Sequence, residues 1–579
     1  MRIRLKATGV ASALAVCSLV ALLVLSLAGS AGASSKNYPR SQTLITSGTQ
    51  WGNIAGTNPY VGNYAAGMVG LVNETLLRYN PLTDKYIAWL AKSAKWTGVK
   101  QYTVVVRSGV KWADGKPFTG NDVRYNVNLG HFKTAFWNNL WLNLKPIKVK
   151  GNTVVFNFRG TPNYVQWQNL MWNLPMISPT QAKPLIKTAA QLTTYSPSNP
   201  VGTGPYKIDP NGWDPTTRVV YMKKASWWAS AQHVSKAPKP KYIIDLVNTS
   251  NTNSLDAVLN GVEDLNNNFL PGVDKLVKQH KVLTYFKKSP YMLSANTAWL
   301  EPNTTVKPLN DPVFRRALAE ALNPAQYARV AESGLVRPAN STGLLPTWSK
   351  YKDNAAVKKY GFAYSTAAAK KLLKSHGYKL VGSYFENKDG TPINLDISVP
   401  QGWSDWENAR SLIVANAAAA GIRITPKIKD YNTWQSDRNT GKFDLVIDNA
   451  YQISDNPWTY WNGIFHLPII NSGTGQTFAN FERYSNPTAW KLVQKLDKTP
   501  PTQKATITKI NNQLQTILMQ KLPMIPLWYN GIWAQFTSKH WTDWPAAHSD
   551  CQWMPAMWRG YLQMTGIDMI TNLAPVPAK

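Results

Sequence analysis

The side chains able to do covalent or metal chemistry are few and scattered. The seven histidines, His131, His233, His280, His376, His466, His540 and His548, are spread along a chain of 579 residues. His540 and His548 with Asp543, Asp550 and Cys551 form the one local group, and its spacing fits no zinc pattern. No G-x-S-x-G elbow, no H-E-x-x-H helix and no phosphate-binding Gly-Lys loop occurs. Ser108-Gly-Val-Lys111 matches S-x-x-K, but it sits in a strand-turn context without the companion motifs of that chemistry. Gly202-Thr-Gly204 lacks the third glycine of a dinucleotide site, because Lys207 stands there. These observations point to binding rather than catalysis, with no cofactor and no metal, and leave an exported hydrolase as the competing class.

The elements that would position a binding site alternate in type. Tyr102–Arg107 is β-branched and reads as a strand. Ser108-Gly109 turns it, Val110–Trp112 returns, and Asp114-Gly115 turns again. Thr119 stands three residues before Asp122, the pattern of a capping box opening a helix with Val123 and Val127 inward. Asp311 is a good N-cap and Pro312 a good first-turn residue, and Phe314, Leu318 and Leu322 follow as one apolar stripe. Further on, helices are predicted over 366–376, 407–420, 487–496 and 502–521. Strands are predicted over 152–158, 394–399, 422–426, 443–447 and 525–529. Alternating helices and strands over this length argue for α/β lobes rather than one core. No Pro/Ser-rich linker divides the chain, so the lobes are expected to exchange strands through short crossings.

The first 35 residues stand apart from this pattern. Arg2, Arg4 and Lys6 precede an uncharged run from Ala7 to Ser35, and Ala31-Gly32-Ala33 offers a small-residue cleavage site before Ser34. Residues 1–33 therefore read as a secretory signal, the alternative being a retained membrane anchor. Val16 before Cys17, and Ser30 after Leu27-Ala28-Gly29, argue against lipidation. Removal of the leader leaves Cys551 as the one cysteine, so the mature chain has no internal disulfide and must rest on core burial. It also leaves 60 Lys+Arg against 31 Asp+Glu, a net charge of +29. No block of five or more Lys/Arg occurs, and an exported protein has little contact with nucleic acid, so none is expected as a partner. An anionic cell surface or an acidic medium are both consistent with the excess.

Three motifs occur in order: Gly109-Val-Lys-Trp-Ala-Asp-Gly-Lys-Pro-Phe-Thr-Gly-Asn-Asp-Val123, then Val201-Gly-Thr-Gly-Pro205 continued by Tyr206 and Lys207, then Asp311-Pro-Val-Phe-Arg-Arg-Ala-Leu-Ala-Glu-Ala-Leu322. The glycines and proline of the second mark a tight turn, in which glycine supplies positive φ. Together, over about residues 73–530, the trio resembles the extracytoplasmic solute-binding proteins of ABC importers, the family that includes the dipeptide- and oligopeptide-binding proteins. The resemblance implies a two-lobed α/β fold of periplasmic-binding-protein type II. Lobe one would take 36–80, 200–297 and 530–579, an extra subdomain 81–199, and lobe two 298–529. It also implies a solute bound between lobes that close on it, a monomeric receptor, and membrane permease subunits with their ATPases as partners.

Carried over residue by residue, the family's ligand-facing segments fall on Ser47–Trp51 (with Thr49 and Trp51), on Asn296 in the hinge strand, and on Trp403, Tyr431, Tyr451, Gln452 and Ile453. Trp51 and Tyr431 are equally readable as packing residues, and Asn296 as a group that satisfies hinge backbone. The chain departs from the peptide-binding pattern at two anchors. Where such proteins place an aspartate for the peptide's amino group, counted back from Pro457, this chain has Ile453, with Asp455 two places late. Asp455 is kept as a ligand-binding candidate, since a local two-residue shift would bring it to the anchor position and restore amine recognition. Where dipeptide binders place an arginine for a carboxylate, it has Trp403. A buried charge without a partner is costly, so such a pocket disfavours small zwitterions. It suits a longer peptide or an uncharged oligosaccharide, with nickel complexes and other solutes as the remaining classes.

Overall fold

The computed structural model describes residues 38–50, 56–62, 64–449, 453–471, 475–547, 553–555 and 563–577, with backbone alone at 48–50 and 563. The leader, Trp51, Tyr451, Gln452, His548, Asp550 and Cys551 lie outside the described residues. Two large sheets organise the rest. A seven-stranded sheet runs in the order Leu283–Thr284, Gln535–Phe536, Leu265–Asn266, Thr43–Gln50, Tyr242–Asn248, Arg218–Lys223, Tyr206–Ile208. A six-stranded sheet runs Arg337–Pro338, Ile525–Gly531, Ser294–Pro302, Leu445–Asp448, Leu395–Pro400, Ile424–Lys429. A third, four-stranded sheet (Ala91–Gly98, Gln101–Val106, Thr153–Asn157, Lys148–Lys150) belongs to the segment between the first strand and the return to the seven-stranded sheet.

The strand Gln101–Val106 alternates half-buried and buried residues, as a sheet with one core face requires. Its expected return over Val110–Trp112 does not form a strand. Lys111 makes only an isolated bridge to Pro117, and the true neighbours are Ala91–Gly98 and Thr153–Asn157. The local hairpin forms on the other side, turning at Val99-Lys100, and the second neighbour is the distant Thr153–Asn157. Residues 294–297 and 530–531, expected in lobe one, pair within the six-stranded sheet. Ser294–Pro302 is flanked by Ile525–Gly531 on one side and Leu445–Asp448 on the other. The chain crosses between the two large sheets at 285–293 and 532–534.

The three motifs turn out to be joints of the scaffold. Ala113 N–H donates to Gly202 O at 3.0 Å, and Gly204 N–H to Val72 O at 2.9 Å, so the first two motifs lock together over the segment Leu71–Val72. A Cβ on Gly202 would run into Val72 O, and one on Gly204 into Leu71 O. These glycines are therefore required by close approach of backbone, and neither has the positive φ that a turn would demand. In the first motif the Asp122 carboxylate accepts from both the N–H and the hydroxyl of Thr119 at 2.7 Å, holding the start of the helix Gly120–Asn128. In the third, Asp311 accepts from Val313 N–H at 2.8 Å at the head of the helix Pro312–Ala321. Arg315, 2% exposed, spends its guanidinium on the carbonyls of Leu309, Lys521 and Leu522. It thereby satisfies the frayed end of the helix Lys504–Lys521.

Candidate functional site

The parallel strands of both sheets end toward one region. In the seven-stranded sheet Thr43–Gln50 runs parallel to Tyr242–Asn248 and to Leu265–Asn266. In the six-stranded sheet Leu395–Pro400 runs parallel to Ile424–Lys429 and to Leu445–Asp448. The loops after these strands hold Asn251, Asn267 and Asn268 on one side and Gly402, Trp403, Tyr431 and Asn449 on the other. The two sets meet. Asn251, first residue of the helix Asn251–Leu259, donates from Nδ2 to Asp405 Oδ1 at 3.0 Å and to Ser404 Oγ at 3.2 Å, and from its N–H to Gly402 O at 3.4 Å. Asn267 Nδ2 donates to Trp533 O at 2.8 Å, and the Phe269 ring stands edge-on to the Trp533 ring at 5.5 Å. A crevice outside the carboxyl ends of facing α/β sheets is where such folds hold their ligands.

On the side of the seven-stranded sheet the site is a buried polar network. Ser47, Asn266 and Gln535 stand in one row across neighbouring strands. Glu263 lies beneath, fully buried. It accepts from Asn266 Nδ2 at 2.6 Å, Asn248 Nδ2 at 3.0 Å and Ser47 Oγ at 3.1 Å. Burial pushes its carboxyl up to about 7, against the pull of those three donors. Asn268 donates to Ser254 Oγ at 2.9 Å. The amide of Gln535 is fully buried and makes no hydrogen bond among the described residues. Sequence reasoning placed Ser47 in a ligand-facing segment but missed its partners, for which the amide-rich run Glu263-Asp-Leu-Asn-Asn-Asn268 was the available signal.

On the side of the six-stranded sheet the site is aromatic. Trp403, at the N-terminus of the helix Ser404–Ala419, stacks on Tyr431 with ring centroids 5.9 Å apart, and Tyr431 stacks on Trp434 at 6.1 Å. Trp406 packs edge-on to Trp403 at 4.6 Å. Trp406 and Trp434 are buried, while Trp403 and Tyr431 are half-buried and form the outer layer. Beneath Trp403, Asp405 is buried and pushed up to about 7 by desolvation, opposed by backbone N–H groups and Asn251.

The remaining predicted positions divide. Thr49 lies near the end of the strand Thr43–Gln50, opposite Val247. Asn296, 1% exposed, donates from Nδ2 to Asn449 O and so ties the central strand to the loop after Leu445–Asp448. Ile453 donates its N–H to Ala295 O at 2.9 Å and buries its side chain. Asp455 does not join them. It lies at the seam with the four-stranded subdomain, where it accepts from Asn456 Nδ2 at 2.8 Å. Among the described residues no group of three or more His, Cys, Asp or Glu is placed to hold a metal.

Two α/β bodies facing each other across the carboxyl ends of their strands define a two-lobed binding protein. Residues 85–471 match the bacterial extracellular solute-binding proteins, family 5, and the chain belongs to that family. It is similar to the glutathione-binding protein GsiB of Escherichia coli K12, 24% identical over 550 residues that cover 90% of this chain and 92% of that one. A crystal structure of the periplasmic oligopeptide-binding protein of an oligopeptide ABC transporter from Thermotoga maritima superposes with a TM-score of 0.87 at 33% identity, covering 93% of this chain and 100% of that one. The same Thermotoga protein with mannohexaose bound gives 0.84 at 33% identity, with 93% and 99% covered. The chain is accordingly a solute-binding protein of an ABC importer. Family members are transporter binding proteins that work with ABC permeases outside the cytoplasm. Among the described residues no helix is long and apolar enough to cross a membrane.

Proposed function

We propose that this protein captures a neutral, extended solute in the crevice between the two sheets and delivers it to a two-subunit permease energised by cytoplasmic ATPases. The solute class put first is an oligopeptide, held through its backbone rather than by its charged ends. The carrying observation is the pairing of Asn251 with Gly402, Ser404 and Asp405, which sets an amide-rich edge against the half-buried rings of Trp403 and Tyr431. The peptide reading is supported by the names of the relatives, and the neutral mode by Ile453, an apolar core residue at the amine-anchor position.

A second reading, an uncharged oligosaccharide, is favoured by one specific observation. The Thermotoga structure that is 33% identical to this chain holds mannohexaose. Stacked aromatic faces beside amide donors suit a sugar ring as well as a peptide plane. Mass spectrometry of whatever co-purifies with the protein, followed by titration with penta-alanine and with mannohexaose, decides between the two. Binding of neither, with an acidic or zwitterionic small molecule co-purifying instead, would overturn the neutral reading.

In this reading the receptor acts as a monomer and turns nothing over. The mature chain starts near Ser34, unlipidated, which N-terminal sequencing of native protein tests. Lobe closure on the solute is a population shift, because the solute touches both edges only when they are together. Solution scattering should give a smaller radius with solute than without.

A further inference from the structure

Away from the crevice, the subdomain and the six-stranded lobe line a partly open cavity of about 410 Å³. That volume lies within the range of small-molecule sites. Its walls come from two bodies. Tyr86, Trp96 and Tyr164 belong to the subdomain, and Lys350, Tyr351 and Asp455 to the opposite lobe. The Trp96 and Tyr164 rings pack against each other at 4.6 Å and form an aromatic wall. The chain reaches this place by turning away from the crevice. One residue beyond the Ile453–Ala295 bond, Trp348 Nε1 donates to Ser454 O at 2.7 Å, and Asp455 then lines the seam.

Asp455 is a carboxylate with room beside it. Among the described residues no cation lies within ion-pair distance of it. The nearest candidate, Lys350, is engaged elsewhere, with its ammonium 2.5 Å from Asp84 Oδ2 and over the Tyr351 ring. The Tyr86 hydroxyl faces the Asp455 carboxylate across the seam and donates toward it, a neutral partner that leaves the negative charge uncompensated. A carboxylate with no ion-pair partner, set among aromatic faces in a partly open cavity whose other charged lining residues are Lys350 and Lys504, is an arrangement that can recognise an ammonium group, by charge-assisted hydrogen bonding and cation–π attraction together.

We propose that this seam cavity is a second binding site, which takes a small organic ammonium with an aromatic or aliphatic body. The ammonium sits on Asp455 and the body lies along Trp96, Tyr164 and Tyr351. Because the walls belong to two bodies, occupancy ties the subdomain to the opposite lobe. The site does not depend on which solute fills the crevice.

The test uses the full mature protein and three probes of one shape: phenethylammonium, 2-phenylethanol and 3-phenylpropanoate. Binding is followed by calorimetry and by ligand-observed NMR. Phenethylammonium should bind saturably, and the neutral and anionic probes roughly tenfold more weakly or not at all. Asp455→Asn should abolish that preference with circular dichroism unchanged. Lys350→Gln, which removes one of the two lysines that line the seam, should tighten phenethylammonium severalfold, and it carries the test should Asp455→Asn not fold. Equal binding of the ammonium and neutral probes, no saturable binding at millimolar concentration, or phenethylammonium binding indifferent to both substitutions would overturn the proposal. The last result would place the ammonium elsewhere, the crevice included.

Discussion

The two edges of the crevice are built from opposite materials. The seven-stranded sheet presents Ser47, Asn248, Asn266 and Asn268 in a network tied to buried Glu263 and to Ser254. The six-stranded sheet presents Trp403 and Tyr431 over Trp406 and Trp434. The first edge is rigid, because each of these four donors has a fixed acceptor and loss of one member leaves others buried without partners. The second is a layered set of faces in which the outer rings are half exposed and the inner ones hold them. In the proposed reading, a solute that bridges both has polar edges and apolar faces, as a peptide plane or a sugar ring has. The comparison also predicts that damage on the first edge appears as lost stability, and on the second as lost affinity.

The largest test of that division is Glu263→Ala. It strands three buried donors, so unfolding in urea should show a loss of about 3–5 kcal/mol. A loss below about 1 kcal/mol would mean that water replaces the carboxylate and the edge is not rigid.

The second test is pH. Glu263 and Asp405 are pushed up to about 7, and Glu301 up to about 8, by burial first of all. Glu332, fully buried with neither oxygen hydrogen-bonded among the described residues, is raised well above the ordinary range for the same reason. In the unfolded chain these groups ionise near pH 4, so between about pH 4 and 8 the folded state holds more protons than the unfolded state. Stability is then fully present below the unfolded values and is lost as pH rises through the folded ones. Thermal unfolding should occur at a higher temperature at pH 5 than at pH 8, with a difference in stability on the order of 2–3 kcal/mol from each of Glu263 and Asp405. A protein less stable at pH 5 than at pH 8 would contradict the burial of these acids. The direction accords with an acidic medium as one reading of the net charge.

Third, Trp403→Ala should weaken solute binding by about 1–3 kcal/mol, with only a small change in unfolding. Trp434→Ala should do the reverse, because that ring is buried behind the outer layer. Equal effects of the two on affinity would erase the distinction between layers.

The smallest effect concerns a contact outside the crevice. Asp497 is buried between helices of different bodies. It accepts from Gln166 N–H at 3.0 Å and from Asn163 Nδ2 and Gln166 Nε2 at 2.6 Å, and so caps the helix Tyr164–Asn173. Asp497→Asn keeps the shape and weakens the cap, which should lower solute affinity by about 0.5–1 kcal/mol by favouring the open form. Scattering without solute should show a slightly larger radius, and an unchanged radius with unchanged affinity would make the contact neutral to closure.

Local chemistry fixed much of this molecule in advance. The helix opened by Thr119 and Asp122, the helix headed by Asp311 and Pro312, and the strand Ile525–Gly531 all appear where caps, prolines and apolar periodicity put them. Those signals depend on neighbours within a few residues, so the sequence carries them whole. The stacking of Trp403 on Tyr431, the burial of Ile453 and the tie of Asn296 to Asn449 were legible only as family positions, with packing as an open alternative. What the tertiary structure alone decided are the relations between distant segments. Glycine at 202 and 204 answers to Val72 and Leu71, 130 and 133 residues away in the chain, and not to a turn. The network on Glu263 exists only because parallel strands bring Ser47 and Asn248 beside Asn266. Asp455, two places from the expected anchor, was placed by the turn after Ile453, which sent it to the subdomain seam instead of the crevice. Side-chain type can be read from a sequence, but the partner that gives it a role is set by long-range pairing and burial.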